Sequence, residues 1–423
     1  MLVGLPGEAV TEKNLKIDDI MIGSKKSKNG ELLELIAWGR AELSRAGIEE
    51  GQEECERILM KLLGCARSAV YLEEHELAAS GVCERFRELI EKRIQRIPLA
   101  YLLKEADFWQ ETLYVDERCL IPRPETEILV ETVIREMKTQ AAKSKGCHSR
   151  PGSVIPAEAG IQTGVNSSGN PGSGSPIKTF GDDSISSFSF LDIGTGSGAI
   201  AVALLREFPN AQGTLLDISA GALEVAGENL RRYRLEERAK LVEGDIFNFF
   251  GTRDSGLGTR NEDPTRGASP EGRVPVFDLI VSNPPYLSEK DWKEIQEELK
   301  FEPRKALDGG KDGLDFYRRI IAGAKDHLTS GGLLALEVGG QAGPPIPTGT
   351  AQSAVVRHAV KSRTSSSAER ARFNKNRALR GLDAPSSQAE TVSKWLHDAG
   401  YDNIQRFNDY LQVQRVVTAQ RNS

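Results

Sequence analysis

The sequence is poor in sulfur and histidine and has no long apolar run, and each shortage excludes something. Cys55, Cys65, Cys83, Cys119 and Cys147 are odd in number and scattered, with no Cys-x-x-Cys pair. Neither a disulfide framework nor a zinc site fits that spacing. The five histidines form no His-Glu-x-x-His motif, so no metal is expected. No stretch approaches the roughly 20 apolar residues that span a bilayer, and the N-terminal residues show no basic region followed by an apolar run. A cytoplasmic protein is the expectation. Positive charge is not in excess either: 55 Lys+Arg stand against 61 Asp+Glu, a formal net charge of −6. That balance is ill suited to holding duplex nucleic acid by phosphate neutralisation.

Glycine is abundant, at 41 of 423 residues, against a usual share of about 7%. Part of the excess lies in three stretches that read as flexible insertions. Residues 146–187 are half Gly, Ser and Pro; residues 251–273 are polar and aperiodic. Residues 343–388 open with GPPIPTGT and carry eight Lys/Arg against only Glu369 and Asp383. Such segments bury too little apolar surface to offset the entropy of ordering them.

The remaining chain is patterned. Over 29–98 apolar residues recur at helical spacing, as at Cys55, Leu59, Leu62 and Leu63, and a small helical bundle is expected. Residues 99–145 read as a hairpin and a connecting helix, with Pro124 at its first position and Glu125 and Glu127 in its first turn. From 188 to 423 strands alternate with helices, which specifies a mostly parallel, Rossmann-like α/β sheet ending in a hairpin. Such sheets bind ligands at the carboxyl ends of their strands.

The first of those strands runs into Asp192-Ile193-Gly194-Thr195-Gly196-Ser197-Gly198, where glycines permit a sharp turn and close approach to a ligand. Asp217 ends the second strand, where a carboxylate meets a ribose diol. Asp245 ends the third and is placed to face an adenine amino group. An adenosine-bearing cofactor fits. The glycines also satisfy a relaxed dinucleotide fingerprint, which leaves NAD open. Asp192, just before the loop, favours a cationic amino-acid moiety over a pyrophosphate.

Asn283-Pro284-Pro285-Tyr286 ends the fourth strand. A nitrogen conjugated to a π-system is a poor nucleophile because its lone pair is delocalised. Two acceptors aimed at its N–H bonds hold it with the lone pair facing an electrophile. The Asn283 side-chain carbonyl and the Pro284 main-chain carbonyl supply such a pair. The prolines stiffen the turn, and Tyr286 is expected against the planar substrate group. Catalysis is then mostly positioning for in-line attack on a methyl sulfonium.

Glycine loop and Asn-Pro-Pro-Tyr together resemble the class I S-adenosylmethionine methyltransferases that act on planar nitrogen. IPRPETE at residues 121–127, FEPRKALDGGKDGLDFYR after the motif, the LEVGGQ strand end and the upstream RIPLAYLL narrow the likeness. This combination resembles the release-factor glutamine methyltransferases of the PrmC/HemK type. The resemblance implies methylation of the glutamine amide in the Gly-Gly-Gln motif of class I peptide release factors, with S-adenosylmethionine consumed and S-adenosylhomocysteine formed. It implies that Gly194, Thr195, Gly196, Ser197, Gly198, Asp217 and Asn283 bind the cofactor, while Asn283, Pro284, Pro285 and Tyr286 hold the glutamine. Asp245 and the following Ile246 are the further cofactor candidates; the family's aromatic residue at the latter position is missing, and Phe247 stands one place further on.

The Asn-Pro-Pro-Tyr motif is shared with adenine-N6 DNA and guanine-N2 RNA methyltransferases, against which the acidic charge and the lack of a target-recognition domain speak. A ribosomal-protein glutamine methyltransferase is a nearer alternative, and a catalytically silent cofactor-binding protein a remoter one. Arg123 reads either as a contact to the cofactor carboxylate or as a solvated loop residue. Glu337, His327, His397, Trp38 and Trp109 read as structural.

Overall fold

The computed structural model describes residues 28–72, 81–146, 187–250, 275–340 and 387–422. The expected insertions lie outside the described residues, apart from Gly146, Ser187, Ser387 and Gln388. The chain divides into two compact units, 1–95 and 96–423.

In the first unit, α1 (Lys28–Arg45), α2 (Gly51–Leu63), α3 (Arg67–Leu72) and α4 (Val82–Ile94) pack around Leu32, Leu35, Leu43, Ile58, Leu59, Phe86 and Ile90. Leu62 and Leu63 end up only half-buried, where α2 runs out of the core. Inside this unit Arg93 donates to both carboxylate oxygens of buried Glu54, at 2.8 and 3.1 Å.

The second unit begins with α5 (Leu99–Leu103) and a hairpin of β1 (Ala106–Phe108) and β2 (Glu111–Leu113), turned at Trp109 with φ 58°. The helix α6 is Thr126–Gly146, so Pro124 is not its first residue but lies in the preceding turn. The physical reason is local: a residue before proline is pushed out of the helical region, and Arg123 and Pro124 instead accept i+3 bonds from Thr126 and Glu127.

Then β3 (Ser189–Ile193), α7 (Ala199–Glu207), β4 (Gln212–Asp217), α8 (Ala220–Tyr233), β5 (Ala239–Glu243), α9 (Ile246–Phe250) and β6 (Phe277–Ser282) alternate. Helix α10 (Asp315–Ala324), β7 (Leu328–Glu337), α11 (Gln388–Asp398), β8 (Tyr401–Asn408) and β9 (Gln414–Arg421) complete the unit. The strand order is β5-β4-β3-β6-β7-β9-β8, parallel from β5 to β7, with β9 antiparallel to both its neighbours. Alternate strand residues feed two cores: Phe190, Leu279 and Val281 on one face, Leu191, Ile193 and Ile280 on the other. Both faces are covered, as a parallel sheet requires. The chain leaves β3 toward β4 on one side and continues at β6 on the other. That reversal opens a crevice at their carboxyl ends, where Ser282 Oγ donates to the Ile193 carbonyl at 2.7 Å.

Candidate active site

At the crevice Gly194, Gly196 and Gly198 take φ of 69°, 56° and 79°, a region other residues rarely enter. A Cβ at Gly194 meets nothing within 4 Å, and one at Gly196 reaches only the Gly194 carbonyl. The space those side chains would fill belongs to a cavity of about 720 Å³, the size of a small-molecule pocket. Its wall brings together Gly194, Gly196, Asp217, Asp245, Ile246, Asn283, Pro284 and Pro285 from the ends of four strands.

Asp217 ties the wall together. Its Oδ2 accepts from the Gly196 N–H and its Oδ1 from the Ser219 N–H, each at 2.9 Å. Burial pushes its carboxyl above the ordinary range, against the pull of those N–H groups. Two carboxylate oxygens carry about four acceptor sites, so bonding capacity remains for a diol. Directly after it Ile218 is 54% exposed and lines the cavity, as does buried Ile246. An open, glycine-floored pocket with an acidic strand end and apolar flanks fits an adenosine group.

Several expected contacts are turned elsewhere. Thr195 and Ser197 are buried; Thr195 Oγ1 donates to Asp192 Oδ2 at 2.7 Å, and the Ser197 carbonyl accepts from Asn229. A Cβ at Gly198 would lie 3.2 Å from Ala226 Cβ, so this glycine serves the approach of α7 to α8. Asp192 is fully buried behind the loop rather than lining the cavity, and burial pushes its carboxyl up to about 7. It braces Thr195 and is not placed to meet a cationic ligand group. Tyr286 also stands off the cavity wall, its ring against Gly339 at the end of β7. The side chain of Phe247 lies outside the described residues.

The reaction motif is held from three directions. Asn283 Nδ2 donates to Thr126 Oγ1 at 2.9 Å, and its Oδ1 takes no donor among the described residues. The Gly309 N–H donates to the Leu287 carbonyl at 2.9 Å, and a Cβ at Gly309 would sit 2.8 Å from the Pro285 carbonyl oxygen. Only glycine allows this segment to close over the motif. Gln388 Nε2 donates to the Tyr286 carbonyl at 3.0 Å while its Oε1 accepts from the Gly339 N–H at 2.9 Å. Ser387 and Glu390 form a capping box on α11. Ser387 and Gln388 therefore belong to the fold and not to the third insertion, whose expected end at 388 is two residues too late.

Arg123 pairs with Glu302, a buried carboxylate that also accepts from the Ile121 N–H at 3.1 Å, and is not among the residues of the cavity wall. His327 is buried with Nδ1 2.9 Å from the Pro275 carbonyl, and Trp38 packs on Phe86. Sequence reasoning missed Arg118, Ile218, Arg304, Lys305, Phe316 and Arg319 on the cavity wall. Ile218 carried a readable signal, an apolar residue directly after the strand-end acid. The segment bearing Arg304 and Lys305 has no periodicity, because it is built of short 3-10 turns.

A PrmC N-terminal domain model matches residues 34–103, and a methyltransferase domain model matches residues 185–300. The release factor glutamine methyltransferase of Geobacter sulfurreducens is 32% identical over 327 residues, 75% of this chain and 88% of that one. That of Chlorobaculum tepidum is 32% identical over 314 residues, covering 74% and 87%. Among solved structures, an O-methyltransferase family protein from Burkholderia thailandensis is only loosely similar: 13% identity, 56% of this chain and 51% of that one, TM-score 0.31. With its glycine-floored cavity and its Asn-Pro-Pro-Tyr strand end, the chain is a methyltransferase and belongs to the release factor glutamine methyltransferase family.

Proposed function

We propose that the protein methylates the side-chain amide of the glutamine in the Gly-Gly-Gln motif of class I peptide release factors. The observation that carries this reading is Asn283. Its NH₂ is committed to Thr126, which leaves its carbonyl as an acceptor on the same cavity as the glycine loop and Asp217. When bound there, S-adenosylmethionine supplies an electrophilic methyl group and leaves as S-adenosylhomocysteine.

Asp217 accepts from the ribose diol, Gly194 and Gly196 give the close approach, and Ile218 and Ile246 offer apolar surface to the adenine. Asp245 faces the same ligand. Asn283 Oδ1 and the Pro284 carbonyl accept the two N–H bonds of the substrate amide, which stops it rotating and aims its nitrogen inward. Pro284 and Pro285 fix that geometry, and Tyr286 supports the substrate side of the turn through its packing on Gly339. No side-chain base is needed at the wall: an amide nitrogen that gains a methyl becomes acidic and releases its proton readily. The proposed partner is a protein; among the described residues no helix is long and apolar enough to cross a membrane. Among the described residues Cys55, Cys83 and Cys119 are free thiols, which suits action in the reducing cytoplasm.

The test is Asn283→Ala with purified release factor as acceptor. Loss of one such positioned polar contact slows turnover by about 10²–10³-fold, with S-adenosylhomocysteine affinity far less affected. Near-normal turnover by the folded variant would defeat the reading.

A further inference from the structure

Glu337 ends β7 with no exposed surface, and among the described residues neither carboxylate oxygen has a hydrogen-bond partner of normal geometry. Burying a carboxylate in that state is destabilising. The sheet does not need it: the main chain of Glu337 pairs with Val416, and its carbonyl accepts from the Tyr317 hydroxyl at 2.9 Å. The hydrogen-bonding group that faces the carboxyl is the Thr126 hydroxyl, itself only 4% exposed. Glu125 and Arg123 face it from the segment before α6, Arg415 from β9, Tyr286 from the turn after β6 and Tyr317 from α10. Neither arginine pairs with it, since Arg123 holds Glu302 and Arg415 holds Asp409.

Thr126 has one proton to place. Its oxygen accepts from Asn283 Nδ2 at 2.9 Å, and no other described acceptor takes its hydrogen. An ionised carboxylate, the form Glu337 takes above about pH 7, only accepts, an asparagine amide accepts at one end and donates at the other, and a hydroxyl does both. The direction of the chain is therefore set at its acceptor-only end.

We propose that Glu337 is a positioning residue for methyl transfer: through the Thr126 hydroxyl it fixes which way round the Asn283 amide sits, carbonyl to the substrate and NH₂ to the interior. The proposal rests on the reading of Asn283 given above. With a donor at position 337 the hydroxyl is free to point the other way. Asn283 then turns its carbonyl inward and meets the substrate N–H with a second N–H.

Glu337→Gln introduces that donor at nearly unchanged shape. At pH 8, where the parent carboxyl is ionised, its kcat on release factor should fall roughly 10²-fold, as for a small misplacement of a reacting group. The KM for the factor and the Kd for S-adenosylhomocysteine should stay within about twofold, since neither depends on the flipped amide alone. Thr126→Val should lose a similar factor in kcat, and Thr126→Ser, which keeps the hydroxyl, should recover it. The double variant Glu337→Gln/Thr126→Val should be no slower than the slower single, because both act through one path. A Glu337→Gln enzyme with full kcat, or two losses that multiply, overturns the relay. An inactive Asn283→Ala beside a fully active Glu337→Gln sinks the relay alone, whereas an active Asn283→Ala sinks the reading beneath it.

Discussion

At Asp217 a single carboxylate orders the loop and presents itself to the cavity. Its bonds to the Gly196 and Ser219 N–H groups mean that Asp217→Ala removes both a ligand acceptor and the clamp on the loop. S-Adenosylhomocysteine affinity should fall at least about tenfold, one unsatisfied buried N–H and one lost ligand contact together exceeding 1.4 kcal/mol. Turnover at saturating cofactor should suffer less. Calorimetric titration reads the first and initial rates the second; unchanged affinity would mean that the diol binds elsewhere.

Glu337 gives a residue-scale prediction in pH. Burial raises its carboxyl from 4.5 to about 7, outweighing the pull of Thr126. Between those values the unfolded chain is ionised there while the folded chain keeps its proton. The folded state binds more protons, so this group makes stability fall as pH rises through that window. Asp192, raised by burial to about 7 as well, adds a slope of the same sign. Glu337→Gln removes one of these contributions. Its melting temperature relative to the parent should therefore be more favourable at pH 8 than at pH 5. A melting temperature that, relative to the parent, is unchanged or less favourable at pH 8 contradicts the assignment.

Elements were legible where burial imposed a period. Strand β3 is buried at four of its five positions, and its apolar run announces a central parallel strand. The third strand is expected to run to Asp245, yet β5 stops at Glu243 and Ile246 opens α9. A short apolar run carries no mark of where extended backbone becomes helix. The motif after β6 was legible by residue type, but its support was not. Leu287, Leu307 and Gly309 lie over 20 residues apart at their extremes and meet through backbone bonds that no side-chain pattern encodes. Nor did any pattern mark Thr126, Gln388 or the inward turn of Tyr286, each decided by contacts with distant segments. Gly309 is the sharpest element-scale test. An added Cβ must displace the Pro285 carbonyl or the Tyr286 Cα, both 2.8 Å away. Gly309→Ala should cost about 1–3 kcal/mol of stability, as overpacking does, and should lower kcat further than a surface Gly→Ala does. A variant with parental melting temperature and kcat would show that the segment is not clamped on the motif.

Over the whole molecule, the third expected insertion enters and leaves where the fold is already stapled. Gly339 and Gln388, on either side of it, are joined by a 2.9 Å hydrogen bond. Long loops add little closure entropy, so removing 343–386 and joining the ends by a few residues should leave cofactor affinity and activity within about twofold. The cut must spare Ser387 and Gln388, which cap α11 and hold the Tyr286 carbonyl. The segment between 343 and 388 carries eight basic residues against two acidic ones. A large, salt-dependent rise in KM for the release factor after deletion would instead make those charges part of substrate binding.

The central claim is the identity of the methylated group, and one measurement addresses it directly. The protein is incubated with labelled S-adenosylmethionine and, in separate reactions, purified class I release factor, ribosomal protein and nucleic acid; labelled protein is then mapped by mass spectrometry. The account predicts one methyl group on the side-chain amide of the Gly-Gly-Gln glutamine, absent when Asn283 is replaced by alanine. Label on nucleic acid or ribosomal protein with none on the release factor would contradict it.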